Sequence, residues 1–322
     1  MAVVRKNILS DTIVRDNFIR GVKLLKAEDS GRRTNQFGIP GPARVVSTYD
    51  LFVVWHHIAM TTATPVSNNP GGRNAAHRGP VFLPWHRVML MLLEQNLQRV
   101  LGDANFGLPY WDWAADGDLS PAQQRTAAIW AANCMGGQGA PVATGPFAHR
   151  AGDPAAWRIR IVGTSTGQLA AVDRGMRRMF AGGTPSLPRR AHVANALNLN
   201  FYDGPNWDSG SQGFRNRIEG WTADTNESAP WLHNRVHVWV GGDMSPTSSP
   251  NDPVFYLNHC NADRVWERWL TRYNRAYAPP QTAPGSLRGH RIDDGIASPF
   301  GASMTPRQVL NVGAVYSYDV LP

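Results

Sequence analysis

Six of the ten histidines in this chain fall into two triplets of different spacing: His56, His77 and His86, then His233, His237 and His259. Neutral imidazole is the commonest metal ligand that side chains offer. Neither triplet contains a thiol or an obvious bridging carboxylate, so the chemistry indicated is that of two metal ions of borderline softness. Structural zinc closes its shell with four ligands, and a catalytic zinc pair recruits bridging carboxylates. Two three-imidazole sets with open positions fit redox-active copper better.

The elements that must carry these residues can be read from the spacing. His233 and His237 stand at i, i+4, which on a helix puts both rings on one face. The residues between them are Asn234, Arg235 and Val236, so the glutamate general base of an HEXXH zinc motif is missing. Alone, the pair reads equally as a surface coincidence. His259 ends the stretch Asn251 to His259, an apolar helix turn where an unpaired imidazole is costly. Taken alone it reads as a satisfied core histidine, and Asp263 at i+4 suits a hydrogen bond supporting it. His56 follows Phe52 and Val53 on the inner face of a predicted helix, His77 comes from a loop, and His86 opens a strong helix. His57 points elsewhere on its helix and is left out of the triplet. His149, His192 and His290 sit in polar or loop contexts and read as ordinary surface histidines.

Helical periodicity covers residues 10–26, with Asp11 near the start, then 48–62 and about 87–101, where Leu90, Leu93, Leu97 and Leu101 keep register. Residues 214–221 and 229–240 also read as helical, and Pro253 opens a helix reaching about Arg272. Loops are expected at 27–46, 64–80 and 241–252, short helical pieces at best over 114–190, and a loop-rich tail after 278. The expected fold class is therefore mainly α, with long loops and few short strands. No internal repeat and no linker divides the chain, which predicts one domain over residues 1–322.

Hydrophobic residues make up 42% of the 322 and charged residues 17%, enough for a sizeable core. The net charge of +8 is nearly all arginine, scattered except for the pairs Arg32–Arg33, Arg177–Arg178 and Arg189–Arg190, so no nucleic-acid partner is expected. Two cysteines, Cys134 and Cys260, cannot build a cysteine-rich zinc site or a disulfide framework, though a single bridge between them is conceivable. The opening MAVVRKNILSD has no apolar core, so no signal peptide is expected, and no apolar run is long enough to span a bilayer.

The motifs around the histidines resemble those of the tyrosinases, the dicopper (type 3) phenol oxidases, in their short bacterial form. The matching stretches are Tyr49–His56, His77–Arg87, Leu108–Trp113, Phe214–Trp221, Leu232–Gly242, Asn251–His259 and the closing Tyr316–Asp319. The resemblance covers nearly the whole chain. It implies a four-helix bundle core with a copper A region at about 48–101, a copper B region at about 214–272, and a tyrosine motif at 316–318. His56, His77 and His86 would hold one copper ion, and His233, His237 and His259 the other. O2 would be the co-substrate, bound side-on between the coppers as peroxide, and a phenol would be oxidised to an o-quinone. Glu219 and Asn234 match the family's water-holding pair, which helps deprotonate an incoming phenol. On the sequence alone, Glu219 reads rather as an ion-pair partner of Arg215 or Arg217.

Three departures from the family pattern stand out. Ala75 replaces the cysteine that cross-links to a histidine in many relatives, so no thioether is expected. The stretch 27–46 is long, reading as a surface insertion or a reshaped pocket mouth, and residues 222–230 lengthen the connection from Glu219 to His233. Substrate choice is expected near Asn234, Val238 and the stretch Met244, Ser245, Pro246, Thr247 up to Ser249. The leading expectation is oxidation of phenols and o-diphenols, including hydroxylation of monophenols. The alternatives are an o-aminophenol or catechol oxidase without monophenol activity, a haemocyanin-like O2 carrier and, from another class, a dizinc hydrolase. Family members often depend on a small copper-delivery helper protein that carries the export signal, so the missing signal peptide fits either export with such a partner or a cytoplasmic enzyme.

Overall fold

The computed structural model describes residues 2–64, 72–223 and 230–322. In chain order the elements are β1 (Val3–Arg5), α1 (Thr12–Ala27), β2 (Asp29–Arg33), β3 (Val45–Ser47), α2 (Thr48–Thr61), α3 (Phe82–Leu101), α4 (Trp113–Gly117) and α5 (Pro121–Gln124). There follow β4 (Ile159–Gly163), β5 (Leu169–Arg174), α6 (Arg190–Leu197), α7 (Phe214–Glu219), α8 (Leu232–Val240) and α9 (Val254–Arg272). The tail holds β6 (Ile296–Ser298), β7 (Gly301–Met304), α10 (Pro306–Val309) and β8 (Tyr316–Tyr318).

Helices α2, α3, α8 and α9 form the core expected from the histidine-bearing segments. The Asp11 carboxylate caps α1 by accepting from the Ile13 and Val14 N–H groups. The Ser47 hydroxyl caps α2 by accepting from the Asp50 N–H at 3.0 Å. Helix α2 is buried on nearly every side, from Thr48 through His57, as befits a helix in the middle of a core. Helix α3 begins five residues before the expected Arg87, because Pro84 fits within the first turn, and it stops at Gly102 in the left-handed region (φ 66°). Pro253 precedes α9, which runs to Arg272 as expected.

Three regions expected to be irregular contain strands. The stretch 27–46 holds β2 and most of β3, an antiparallel pair capped by a short 3-10 turn, so it is a folded insertion against α2. The stretch 114–190 holds the β4–β5 hairpin, paired with a register shift between Ile159 and Ile161. The tail holds the β6–β7 hairpin. Short strands of this kind lack the long alternation that makes a sheet legible. Of the expected lengthening at 222–230, residues 224–229 lie outside the described residues.

Strand β1 pairs in parallel with β8, Val3 opposite Tyr316 and Arg5 opposite Tyr318. This places the tyrosine motif against the core. Arg5 lies 3.4 Å from the centre of the Tyr316 ring and pairs with Glu94 at 2.9 Å and Asp263 at 3.3 Å. Arg87 reaches the other Asp263 oxygen at 2.6 Å. Among the described residues no helix is long and apolar enough to cross a membrane.

Candidate metal centre

His56 projects from α2, His86 from the second turn of α3, and His77 from the segment between them. Asn74 shapes that segment: its side-chain oxygen accepts from the Ala76 and His77 N–H groups at 3.0 and 2.7 Å. Arg78 follows with a φ of 60°. The three rings face one another with centroids 4.8 to 5.7 Å apart. His56 Nδ1 lies 2.6 Å from the Thr247 carbonyl, and His86 Nδ1 lies 2.8 Å from the Phe82 carbonyl one turn earlier. A carbonyl only accepts, so Nδ1 carries the proton in both rings and Nε2 keeps its lone pair. Both of those Nε2 atoms are buried with no hydrogen-bond partner, and so is His77 Nδ1. Buried polar atoms are seldom left so, and an ion answers the vacancy in their bonding.

The second triplet is tighter. His233 and His237 stand one turn apart on α8, and His259 faces them from α9. His233 Nδ1 meets the Glu219 carbonyl at 3.1 Å, and His237 Nδ1 meets the Met244 carbonyl at 2.6 Å. Their Nε2 atoms and that of His259 lie 2.9, 3.0 and 3.3 Å from one another. Two of these rings already hold their single proton at Nδ1, so the triangle brings lone pairs together rather than forming three hydrogen bonds. A point about 1.8 Å from all three nitrogens lies at its centre, close to a ~2.0 Å metal–imidazole bond. The donor set fits a metal ion. In each set the three ligand atoms lie within 4.8 Å of one another.

The two sets face each other. His86 stacks on His259 with centroids 4.0 Å apart and planes 13° apart. Phe82 packs on His86, His233 and His77, and Phe255 on His259, His56 and His237, so an aromatic ring lies against members of both triplets on each side. Burial pushes His56 down to about 3 and His237 down to about 4. It holds the other four well below the ordinary value, with neighbouring imidazoles adding to the effect. The rings are therefore neutral near pH 7, the form in which imidazole can bind a metal.

A cavity of about 430 Å³ opens on the histidines and is lined by Met60, Trp221, Pro230, Asn234, Val238, Ser245 and Pro246, among others. Asn234, Val238, Ser245 and Pro246 are thus placed at the pocket. Met244 is wholly buried and Thr247 is absent from the lining; they meet the site through the carbonyls that hold His237 and His56. Glu219 is fully buried, with one carboxylate oxygen accepting from the Arg78 N–H at 2.7 Å and the other paired with Arg215 at 2.9 Å. The ion pair read from the sequence is therefore present. Burial raises the Glu219 carboxyl above its ordinary value, against the lowering effect of Arg215.

Several sequence expectations are corrected. Asp263 does not support His259; its carboxylate is taken by Arg5, Arg87 and the hydroxyls of Tyr316 and Tyr318, both at 2.6 Å. On α9 the i+4 residue shares a face with His259, but Asp263 also meets β1, α3 and β8, whose Arg5, Arg87 and tyrosine hydroxyls compete for it. His259 Nδ1 has no partner. His290 and His192 are buried rather than surface residues, with His290 bonded to the Thr64 hydroxyl at 2.7 Å. His290 is covered because the tail folds back over the core, and His192 lies on α6 with its ring against Trp231. Cys134 and Cys260 are both buried and free, so the conceivable bridge does not form. Phe82 and Phe255 carry no signal in the sequence beyond that of core residues, and the backbone carbonyls that orient the rings carry none.

Residues 46–272 match the family model described as the common central domain of tyrosinase. A tyrosinase of Streptomyces antibioticus is 37% identical, the match covering 84% of this chain and 89% of the relative. Grixazone synthase of Streptomyces griseus is 36% identical over 84% of this chain and 90% of its own length. In structure, a polyphenol oxidase of Thermothelomyces thermophila aligns with a TM-score of 0.70 at 20% identity, covering 100% of this chain and 89% of the other. With two converging imidazole triplets inside the matched span, the chain belongs to the tyrosinase family.

Proposed function

We propose that the chain, acting as one catalytic unit over residues 1–322, is a copper-dependent oxidase of phenols, with His56, His77 and His86 holding one ion and His233, His237 and His259 the other. The observation that carries the reading is the triangle of Nε2 atoms at 2.9 to 3.3 Å, which matches one ion's donor set. When bound, the copper pair would supply the redox chemistry with O2: from a monophenol one oxygen atom enters the ring and the other leaves as water, and from an o-diphenol two electrons and two protons pass to oxygen as water, each giving an o-quinone.

The residues around the triplets do the rest. The cavity suits a single-ring substrate, with Val238, Pro246, Pro230 and Met60 offering apolar contact to the ring. Asn234 lies in the wall beside His233, in position to hold a polar group or a water. Glu219 lies directly behind the pocket-lining Gly220. With its carboxyl raised by burial, it accepts the phenol proton through a water held with Asn234. Arg215 and the Arg78 N–H keep that carboxylate in place. Phe82 and Phe255 exclude bulk water from the rings. Copper reaches the site from a small helper protein. The grixazone synthase relative supports a second reading, oxidation of o-aminophenols.

The test is to load the protein with copper, count the bound ions, and follow O2 uptake with a monophenol, an o-diphenol and an o-aminophenol. Two ions per chain and uptake with all three phenol classes are expected. In Glu219→Gln, uptake with the monophenol falls by at least tenfold while the o-diphenol is affected less. Uptake only with the o-aminophenol establishes the second reading, and zinc in place of copper with no uptake overturns both. Full loading from free copper alone removes the helper.

A further inference from the structure

We propose that His57, which holds no metal, is a positioning residue that sets the metal-facing nitrogen of His56 through Thr247, and that the β4–β5 hairpin thereby tunes one metal site without touching it. The proposal rests on the copper reading above. His57 is 2% exposed, and both its ring nitrogens are engaged. Its Nε2 lies 3.2 Å from the Gly167 carbonyl in the hairpin turn. That carbonyl only accepts, so Nε2 carries the proton of the neutral ring and Nδ1 is left as an acceptor. The Thr247 hydroxyl lies 2.7 Å from Nδ1 and donates to it. The same threonine's backbone carbonyl accepts from His56 Nδ1 at 2.6 Å.

Every bond in this chain donates towards the hairpin, from His56 to Thr247, from Thr247 to His57 and from His57 to Gly167. Its fit is tight. A Cβ on Gly163, at the end of β4, would lie 2.3 Å from the Thr247 hydroxyl and 2.6 Å from His57 Nδ1, so only glycine lets the three groups meet. Beyond Thr247, the Asn251 side chain donates to the Ile161 carbonyl at 2.7 Å and fastens the loop to β4 a second time.

The effect is specific to one site. His86 is held within its own helix by Phe82, so His56 is the member of the first triplet whose orientation is set from a distant loop. Met244, which holds His237 on the same loop, has its own anchors: its N–H donates to Gly241 at 3.0 Å, and Asp243 beside it is paired with Arg174. Removing the Thr247 hydroxyl therefore frees His56 while leaving His237 held.

The experiment is a titration of the Cu(I)-loaded full chain with a colorimetric Cu(I) chelator, read as copper released per chain, alongside thermal melts of the copper-free protein. Wild type holds two equivalents. In Thr247→Val and in His57→Leu, one equivalent is released about ten- to a hundredfold more readily and the other is unchanged, the range typical for loss of a group that orients a ligand. His57→Asn, which returns an acceptor near the Nδ1 position, restores binding towards wild type. Should both equivalents in Thr247→Val stay at wild-type affinity, or weaken alike in step with a lowered melting temperature, His57 is a packing residue and the proposal is overturned. A wild type that binds fewer than two copper ions overturns the copper reading itself, and the proposal with it.

Discussion

Replacing Asp263 by Asn tests whether this carboxylate serves the fold or the metal site. It sits one turn from His259 on α9, yet its partners are Arg5, Arg87, Tyr316 and Tyr318. The cluster is closed by Glu94 on Arg5 and by Glu267, which pairs with both Arg87 and Arg275. Three cations face three anions, and Arg5, Arg87, Glu94 and Asp263 are all almost fully buried. Asparagine keeps the shape and removes one negative charge, leaving Arg5 and Arg87 short of a partner. Breaking such a buried pair costs about 3–5 kcal/mol. Unfolding entropy of ~2.1 cal/mol/K per residue gives roughly 0.7 kcal/mol/K for a chain this long, so the expected fall in Tm is about 4–7 °C. Burial raises the Asp263 carboxyl, but Arg87, Arg5 and the two tyrosine hydroxyls outweigh it and hold it below its ordinary value. A depressed folded-state pKa stabilises above the unfolded value of about 3.9 and ceases to do so as pH falls through the folded one. The gap between wild type and variant is therefore full at pH 5–7 and narrows below about pH 4. Calorimetry across that range, with copper counted at 25 °C, checks it. A Tm change under about 1 °C refutes the reasoning, and so does loss of a copper ion at unchanged Tm, which would make Asp263 a support for His259 after all.

Three further outcomes are expected. Gly220→Ala places a Cβ 2.0 Å from the Trp231 carbonyl at a φ of 106°; it costs at least about 1–3 kcal/mol, shifts the Glu219 carbonyl off His233, and lowers both Tm and the copper count measured by mass spectrometry. His290 is held by burial at about 3, so between there and the unfolded value of about 6.5 the unfolded chain binds the extra proton; stability is complete above about pH 6.5 and declines below it. The loss at pH 5 is about 2 kcal/mol, and urea unfolding at pH 7 and 5 finds that much less slope in His290→Asn. Burial pushes the thiols of Cys134 and Cys260 up to about 11 and about 12, so a disulfide-exchange reagent titrates neither in the native protein and both after denaturation.

The helices that carry the histidines were legible because their apolar spacing runs over many residues, as in α3 and α9. The β2–β3 pair and the β4–β5 hairpin were not, because their strands are 3 to 6 residues long and half exposed. At the site, spacing made two histidine triplets plausible and the resemblance of the flanking motifs assigned all six as ligands, but their orientation was not readable. Thr247, Met244, Phe82 and Glu219 each hold a ring through a backbone carbonyl, and a carbonyl leaves no trace in residue type. Asp263 shows the converse: its i+4 spacing from His259 is a true helical relation, but Arg5 and Arg87 arrive from distant parts of the chain and claim it.

Those unreadable contacts also explain why the two triplets keep a fixed relation although they come from separate halves of the chain. Each histidine of the first set is tied to one of the second by a different device. His86 and His259 stack directly at 4.0 Å, so α3 and α9 cannot slide without separating the rings. Glu219 joins His77 to His233: its carboxylate accepts from the Arg78 N–H beside His77, and its carbonyl from His233. The loop between Met244 and Thr247 joins His237 to His56 through two carbonyls three residues apart. Three ties of unlike kind constrain a pair of rigid groups better than three of one kind, because no single displacement relaxes all of them. Two run through segments that also border the pocket, at Gly220 and at Ser245–Pro246. A substrate pressing on that wall therefore acts on both histidine sets at once, while the stacked His86–His259 pair, behind the lining histidines, holds the spacing between them.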